Sequence, residues 1–371
     1  MMVRGSIRQF DFLLMAAALA LVAYGAILIY SGSLTTYGTG DEALRHPVAR
    51  QVAFAAVGVV VAVLLSRLDY RALGYGAAGL YISILAVLVF VLVVGSTVYG
   101  SRRWIEVGGT TIQPSEIAKL GVIIVLAKFL SENQERLKDW RIFLASLAIA
   151  AVPAGLVFAE PDLGSAVVFA AIWLGMVMMA GARIRHVLAL LTAFAVSVPF
   201  VIKEVLTGYQ LERLRLFLDP EKEAMGSGFN ILQGEISIGS GGWLGKGWTE
   251  GTQTQLDYLR TQTTDYIFSV LGEELGFVGA MVLFALFVIL LMRGVRAAAV
   301  SHDMFGRLLA TGIVIFVLFQ VFINVGVNLR IIPVTGIPLP FVSQGGSSLL
   351  TLFVALGILQ SIVVRHRQIR F

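Results

Sequence analysis

Thr263-Thr264-Asp265-Tyr266-Ile267-Phe268 joins a long polar loop to an apolar run that continues to residue 292. The loop, residues 203–264, is the one long polar interval in a chain otherwise made of membrane-length apolar segments. Hydrophobic residues make up 57% of the chain and charged residues 14%, with a mean hydropathy of +0.85. That balance excludes an ordinary soluble globular protein. A spanning helix takes about 20 apolar residues. Runs near that length lie at 11–31, 48–66, 75–95, 115–131, 142–159, 165–181, 186–202, 265–292, 307–329 and 345–364. The expectation is an all-α membrane protein with about ten transmembrane helices. Residues 1–371 would form a single polytopic membrane domain, with 203–264 as one large extracytoplasmic loop.

A cleaved signal peptide is not expected, because 11–31 runs into a polar loop without a small-residue cleavage site. The absence of cysteine excludes a disulfide framework and thiolate metal sites. His46, His186, His302 and His366 show no metal-ligand spacing. With ten spans both termini share a side, and basic residues crowd that side. They are Arg4, Arg8, Arg67, Arg71, Arg136, Lys138, Arg141, Arg183, Arg185, Arg293, Arg296, Arg307, Arg365, Arg367 and Arg370. The other face is poorer, with Arg45, Arg50, Arg102, Arg103 and Arg330 as exceptions. The positive-inside rule therefore places both termini in the cytoplasm. The net charge of +5 is this topological signal and calls for no nucleic-acid partner.

Span parity then gathers every chemically interesting stretch on the outer face. Asp265 stands at a helix entrance, where it either caps the helix or serves a reaction. Gln113-Pro114-Ser115-Glu116 opens another helix with proline in its first turn. Glu116 and Lys119 lie one turn apart and can pair, in a pocket rather than as a simple cap. Glu160-Pro161-Asp162-Leu163-Gly164 is an acidic turn in which Glu160 reads as merely solvated, while Asp162 is open between solvation and function. In Gly272-Glu273-Glu274-Leu275-Gly276, the glycines give a face that lines a groove or packs closely. Pro333, Pro338 and Pro340 prevent a continuous helix after Arg330. That stretch, with Ser343-Gln344-Gly345-Gly346-Ser347-Ser348, reads as a re-entrant Pro/Gly-rich segment ending in a helix start suited to pyrophosphate. The loop itself alternates glycine turns and apolar anchors, as short amphipathic helices on a bilayer surface would.

At these residues the chain resembles the SEDS family (shape, elongation, division and sporulation). The matching blocks begin with Arg103-Trp104, Gln113-Pro114-Ser115-Glu116, Glu160-Pro161-Asp162-Leu163-Gly164, and Arg215 with Leu218-Asp219-Pro220. They continue through Gln233 to Gly239, Gly245 to Gly247, Thr264 to Phe268, and Glu273-Glu274-Leu275-Gly276. Asn324 to Pro333, Thr335-Gly336 and Ser343 to Ser347 complete them. Gln344 departs from the family, which more often has Tyr, Ser or Ala there. The short termini resemble the elongation member.

The resemblance implies a peptidoglycan glycosyltransferase that polymerises lipid II at the outer face of the bacterial cytoplasmic (inner) membrane. A sugar 4-hydroxyl would attack the anomeric carbon of a donor carried on polyprenyl pyrophosphate. Asp265 can supply the general base such a nucleophile needs. A departing pyrophosphate needs cations or aligned N–H donors. Lys119, Arg213, Arg215, Lys246, Arg330 and the Gly345-Gly346 turn are candidates, and Arg103, Glu116, Asp162 and Ser343 join them as candidate substrate-binding residues. A divalent cation, Mg or Mn, is compatible with the reaction, but no dense carboxylate cluster declares a metal site. The implied partners are lipid II, a class B penicillin-binding protein (a transpeptidase) and other elongation-complex membrane proteins; the small residues Gly272, Gly276 and Gly279, together with the projecting 203–264 loop, suggest where the transpeptidase docks. The rival readings are a lipid II flippase, which needs a polar path to both faces, and a non-catalytic scaffold.

Overall fold

The computed structural model describes residues 10–37, 46–98, 101–107, 110–204, 208–223 and 228–366. Arg4, Arg8, Arg45, Arg367 and Arg370 of the basic pattern lie outside the described residues. In chain order the helices begin with α1 (Phe12–Tyr37), α2 (Pro47–Arg67), α3 (Ala72–Tyr75), α4 (Ala77–Val94) and α5 (Pro114–Glu132). Next come α6 (Trp140–Ala159), α7 (Leu163–Met179), α8 (Ile184–Glu204), α9 (Gly208–Leu218), α10 (Phe229–Gly241) and α11 (Thr252–Gln255). The last are α12 (Ile267–Val300), α13 (Met304–Asn328) and α14 (Gly346–His366). Each of the ten expected apolar runs is a helix.

Seven of these helices (α1, α2, α4, α6, α12, α13 and α14) are long and apolar enough to cross a membrane. The 17 residues of α7 rise only about 26 Å at 1.5 Å per residue, somewhat short of a ~30 Å hydrocarbon core. The apolar part of α8, Ile184–Phe200, is similarly short. Helix α5 carries Glu116, Lys119, Lys128 and Glu132. Glu116 and Lys119 are housed in protein, because α4, α6, α7, α13 and α14 pack around the helix, while Lys128 and Glu132 pair at 2.7 Å at its more exposed end. Helix α14 lies along α2, and α1 and α13 flank α12.

Three short strands were not expected. They are β1 (Ser96–Val98), β2 (Ser101–Val107) and β3 (Thr110–Ile112), an antiparallel meander in that order. Ile105 pairs with Ile112 and Val107 with Thr110, β-branched residues that suit a pleated surface. The sheet presents Arg103 and Trp104 from β2.

Helix α12 is broken at Gly276, where φ is 61° and ψ −158°, a conformation open to glycine alone at little cost. The break frees backbone groups that apolar surroundings would leave unpaired. The segment after α10 takes them. Lys246 N–H donates to Glu273 C=O at 2.9 Å and Gly247 N–H to Glu274 C=O at 3.1 Å. In return Phe277 N–H donates to Gly242 C=O at 2.9 Å and Val278 N–H to Trp243 C=O at 3.0 Å. The Glu273 carboxylate strengthens the splice by accepting from Gln253 N–H (2.9 Å), Thr254 N–H (3.1 Å) and Lys246 Nζ (2.7 Å). Glu274 accepts from the Ser31 hydroxyl on α1.

Two expectations are corrected here. The Gly272–Gly279 face does not await a partner. Gly272 and Gly276 pack on α10 and the turn after it, and the Gly279 carbonyl accepts from Tyr24 Oη at 3.0 Å. Likewise α10 buries Ile231, Gly234, Ser237 and Gly241 against α12, so it belongs to the bundle rather than to a bilayer surface. The Pro-rich stretch 333–340 is irregular as expected, with Ile337, Leu339, Phe341 and Val342 buried within and just after it.

Arg103, Asp162, Asp265 and Gly345 gather at one end of the bundle. Arg67, Arg71, Arg293 and Arg365 lie at the other, where Arg71 Nε pairs with Asp303 at 3.0 Å and Arg365 Nη2 donates to Arg67 C=O at 2.9 Å. Cysteines at exposed Gly239 and His302 test which end faces out. An impermeant thiol reagent added to intact cells should label the first and spare the second, and the reverse pattern would invert the orientation.

Candidate functional site

Asp265 is not a helix cap. Tyr266 occupies the cap position of α12, with no side-chain cap bond. The turn before it is closed by Thr261, in left-handed conformation (φ 57°), whose carbonyl accepts from the Asp265 and Tyr266 N–H groups. Two asparagines one turn apart on α13 hold it from behind. Asn324 Nδ2 and Asn328 Nδ2 donate to the Asp265 carbonyl at 3.1 and 2.9 Å. Asn328 Oδ1 also accepts from Ser269 N–H and Oγ at 3.0 and 2.7 Å. Ser343 Oγ donates to Thr264 C=O at 2.6 Å. The backbone is fixed by neighbours on three elements, and the carboxylate is left to face a cavity.

That cavity measures about 550 Å³ and is lined by both polar and apolar groups. Arg50 and Gln51 reach it from α2, Arg103 and Trp104 from β2, and Gln113 from the start of α5. Gly345, Gly346, Ser347 and Ser348 bring the first turn of α14, whose N–H groups and dipole favour an anion. At Gly336 (φ 76°) a methyl group would stand 3.8 Å from Asp265 Oδ2 and 3.8 Å from Arg103 Nη1. Any side chain there would fill the gap between carboxylate and guanidinium.

Arg103 is placed by Asp162 at 3.8 Å and by the Trp104 ring at 6.0 Å. Asp162 is itself the cap of α7, accepting from Ser165 N–H at 3.0 Å, and it accepts from Gln113 Nε2 at 3.0 Å. Burial pushes the Asp265 carboxyl above its usual range, with Arg103 and Arg213 pulling it back and Asp162 adding to the rise. A carboxylate whose proton affinity is raised in this way is a stronger general base. Glu160 lies deeper, 1% exposed, and neither of its oxygens has a hydrogen-bond partner. Burial raises it to about 8, with Asp162 adding and Arg103 opposing. It is therefore protonated at neutral pH and does not compete for Arg103. This corrects the reading of Glu160 as a solvated turn residue.

Of the expected site residues, Asp265, Arg103, Gly345 and Gly346 line the cavity. Arg213 reaches toward it from α9, donating to Val334 C=O at 3.1 Å. Glu116 and Lys119 form a buried pair at 2.6 Å beneath it, where Glu116 Oε2 accepts from Ser348 Oγ and Gln320 Nε2 at 3.3 and 3.4 Å. They support the start of α14 rather than facing substrate. Ser343 pins the Asp265 turn. Arg215 is exposed on α9. Lys246 is held by Glu273, and Arg330 by Glu235 at 3.3 Å, so both belong to the scaffold. Sequence reasoning missed Arg50 and the bracing role of Asn324 and Asn328. The signal for Arg50 was its standing as an exception to the basic bias, beside Gln51. Among the described residues no group of three or more His, Asp or Glu side chains is placed to hold a metal ion.

Together these features define a polytopic membrane protein with a polar cavity at one end, built around a half-buried carboxylate, two arginines and a helix N-terminus. A family model for cell cycle proteins of the FtsW, RodA and SpoVE type matches residues 11–368. Peptidoglycan glycosyltransferase MrdB of Escherichia coli (strain K12) is 37% identical over 353 residues, covering 95% of this chain and 92% of that protein. Stage V sporulation protein E of Bacillus subtilis (strain 168) is 38% identical over 356 residues, covering 95% and 96%. A chain from the structural study of a peptidoglycan synthase complex coordinating polymerization and crosslinking matches with a TM-score of 0.82 and 31% identity, over 97% of this chain and 99% of that one. The rod shape determining protein RodA of Thermus thermophilus matches at 0.69 and 30%, over 98% of each chain. The chain belongs to the FtsW/RodA/SpoVE family of cell cycle proteins, the SEDS family.

Two predictions follow from the buried charges. Glu116→Gln leaves Lys119 charged and unpaired, which should cost about 3–5 kcal/mol. Adding Lys119→Met should recover most of the loss in thermal unfolding, and additive losses would remove the pair from this role. For Glu160 the raised folded pKa means its stability contribution is complete below the unfolded value of 4.5 and is lost as pH climbs through about 8. Glu160→Gln should therefore raise the melting temperature over wild type at pH 8 and gain little at pH 5.

Proposed function

We propose that the chain is a peptidoglycan glycosyltransferase of the bacterial inner membrane, polymerising lipid II for cell elongation and rod shape. The observation that carries this reading is a carboxylate, Asp265, freed from capping and set opposite Arg103 in a cavity that also presents Arg50 and the α14 N-terminus. Asp265 takes the proton of the acceptor's 4-hydroxyl. The oxygen bonds to the donor's anomeric carbon, and the bond from that carbon to polyprenyl pyrophosphate breaks. Arg50, Arg103 and the α14 N–H groups hold the departing negative charge, fixed before it develops.

An adjoining groove of about 280 Å³ is lined mainly by apolar side chains, among them Phe54, Ile117, Leu120, Leu350 and Val354. It shares Phe54, Thr111 and Ser347 with the polar cavity. An isoprenoid chain attached to a pyrophosphate needs this pairing of an apolar channel with an anion site. The flippase reading loses support beneath the cavity, where Glu116, Lys119, Gln320 and Ser348 are paired with one another instead of lining a path onward. Crosslinking of the product falls to a class B penicillin-binding protein. The support for this is the likeness to the chain of the synthase complex. With the Gly272–Gly279 face occupied internally, that partner docks on another surface. Other elongation-complex membrane proteins complete the assembly.

Purified protein with labelled lipid II tests the reading. Asp265→Asn should lower polymer formation by roughly 10²–10⁴-fold while leaving the thermal unfolding profile in place. Near-normal turnover by the folded variant would remove Asp265 from catalysis, and absence of polymer from wild type would overturn the function.

A further inference from the structure

The turn that carries Asp265 meets the start of α14 through two residues 81 apart in the chain, Thr263 and Gln344. Gln344 N–H donates to Thr263 C=O at 2.9 Å, and the Thr263 hydroxyl donates to Gln344 Oε1 at 2.8 Å. Ser343 Oγ adds a bond to Thr264 C=O at 2.6 Å. Each segment is also braced on its own side. Thr261 C=O accepts from the Thr264 and Asp265 N–H groups at 3.0 and 3.1 Å, and Gln51 Nε2 on α2 donates to Ser343 C=O at 3.2 Å. Asp265 lies two residues after Thr263, and Gly346 two residues after Gln344. The contact therefore sets how far the carboxylate stands from the N–H groups of α14.

Thr263 and Gln344 have space on both sides. They line the 550 Å³ cavity and also a smaller one of about 180 Å³ behind it. Packing contributes little at such a point, and the hydrogen bonds keep the two segments in register. The bonds to the Thr263 and Thr264 carbonyls come from adjacent residues and form a hinge line. The side-chain bond lies off that line, and a third point stops rotation about it. Gln344 is also where the chain departs from the family's commoner residues. Of those, Ala offers no acceptor and Ser is too short to repeat the bond without moving the backbone.

We infer that Gln344 is a positioning residue: its side-chain amide, bonded to the Thr263 hydroxyl, clamps the Asp265 turn onto the start of α14 and holds the base at a set distance from the anion-binding N–H groups. It acts through Asp265. This inference rests on the glycosyltransferase reading and adds a residue on which that geometry depends. A misplacement of about 1 Å can cost a catalytic group ~10²-fold in rate. Arg50 and Arg103 stay in place when the clamp is lost, so the loss falls on kcat rather than KM.

Full-length purified protein is assayed with labelled lipid II, and hydrogen–deuterium exchange over residues 259–268 is followed in the same preparations. Gln344→Met keeps the length and removes the acceptor, and Thr263→Val keeps the shape and removes the hydroxyl. Each should lower kcat about tenfold or more, leave KM within about twofold and quicken exchange in the Asp265 turn, with melting close to wild type. The double variant should match the poorer single, because both remove one bond. Gln344→Glu should restore kcat and slow exchange, since a carboxylate oxygen also accepts from the hydroxyl. It should raise KM severalfold, since it adds a negative charge to the wall of an anion cavity. Multiplied losses in the double variant, a folded Gln344→Glu as impaired as Gln344→Met, or lower melting with unchanged kcat per folded molecule overturns the assignment. If Gln344→Met does not fold, Thr263→Val and Gln344→Glu decide it in the same way. Exchange separates the two failures. Polymer from wild type with exchange unaltered in the variants removes only the clamp. No polymer from wild type removes the glycosyltransferase reading, and the clamp then stands or falls on exchange.

Discussion

The break in α12 at Gly276 is the constraint from which the rest of the site follows. A helix interrupted among apolar neighbours must have its freed backbone groups paired from elsewhere. Here residues 242–247 do so with four main-chain bonds, and the Glu273 carboxylate ties residues 246–254 to the same point. The long loop is thereby fastened at its middle to the helix that its end introduces. The outer half of α12 becomes a short rigid post between α10 and α13, and Asp265 sits at its tip. Two adjacent glutamates in a membrane helix, costly in isolation, become the means by which an extramembrane segment is held in register.

Four carboxylates near the site have four roles, and their surroundings decide which. Glu116 is neutralised by Lys119 and props α14. Asp162 caps α7 and steers Arg103 and Gln113. Glu160 has no partner and is held neutral by burial. Asp265 alone combines burial, a nearby guanidinium and an open face on the cavity. Because Glu160 carries no charge at neutral pH, the guanidinium of Arg103 answers to Asp162 on one side and the cavity on the other. A fully ionised trio would draw that cation inward and weaken its hold on an incoming pyrophosphate.

The helices were legible because membrane-length apolar runs have few other solutions, and the ten runs read from Phe12 to Val364 are all helical. The clustering of polar segments at one end was legible from span parity alone. Asp265 and the Gly345-Gly346 turn could be read from their position at helix entrances and irregular backbone, and Arg103 from the Arg103-Trp104 block that carries the family resemblance. What could not be read was long-range pairing. Nothing local says that Lys246 reaches Glu273 or that Arg330 reaches Glu235, since a cation in a loop looks the same whether it meets a ligand or a neighbour. The small sheet was hidden by its brevity, with two of its strands three residues long. Glycines at four-residue spacing likewise mark close approach without naming what approaches, and here it was the chain's own loop.

Placing the base on a turn rather than within the helix has a chemical consequence. A carboxylate that capped α12 would be held ionised by N–H donors and a helix dipole, which lower its basicity. Asp265 escapes this because Thr261 supplies the carbonyl that closes the turn, while Asn324 and Asn328 hold its backbone through the carbonyl alone. Position is thus fixed by main-chain bonds, and basicity is set separately by burial and by Arg103. The two can be tuned independently: α13 holds the turn and β2 supplies the cation. A loop that only capped its helix would have no use for that division.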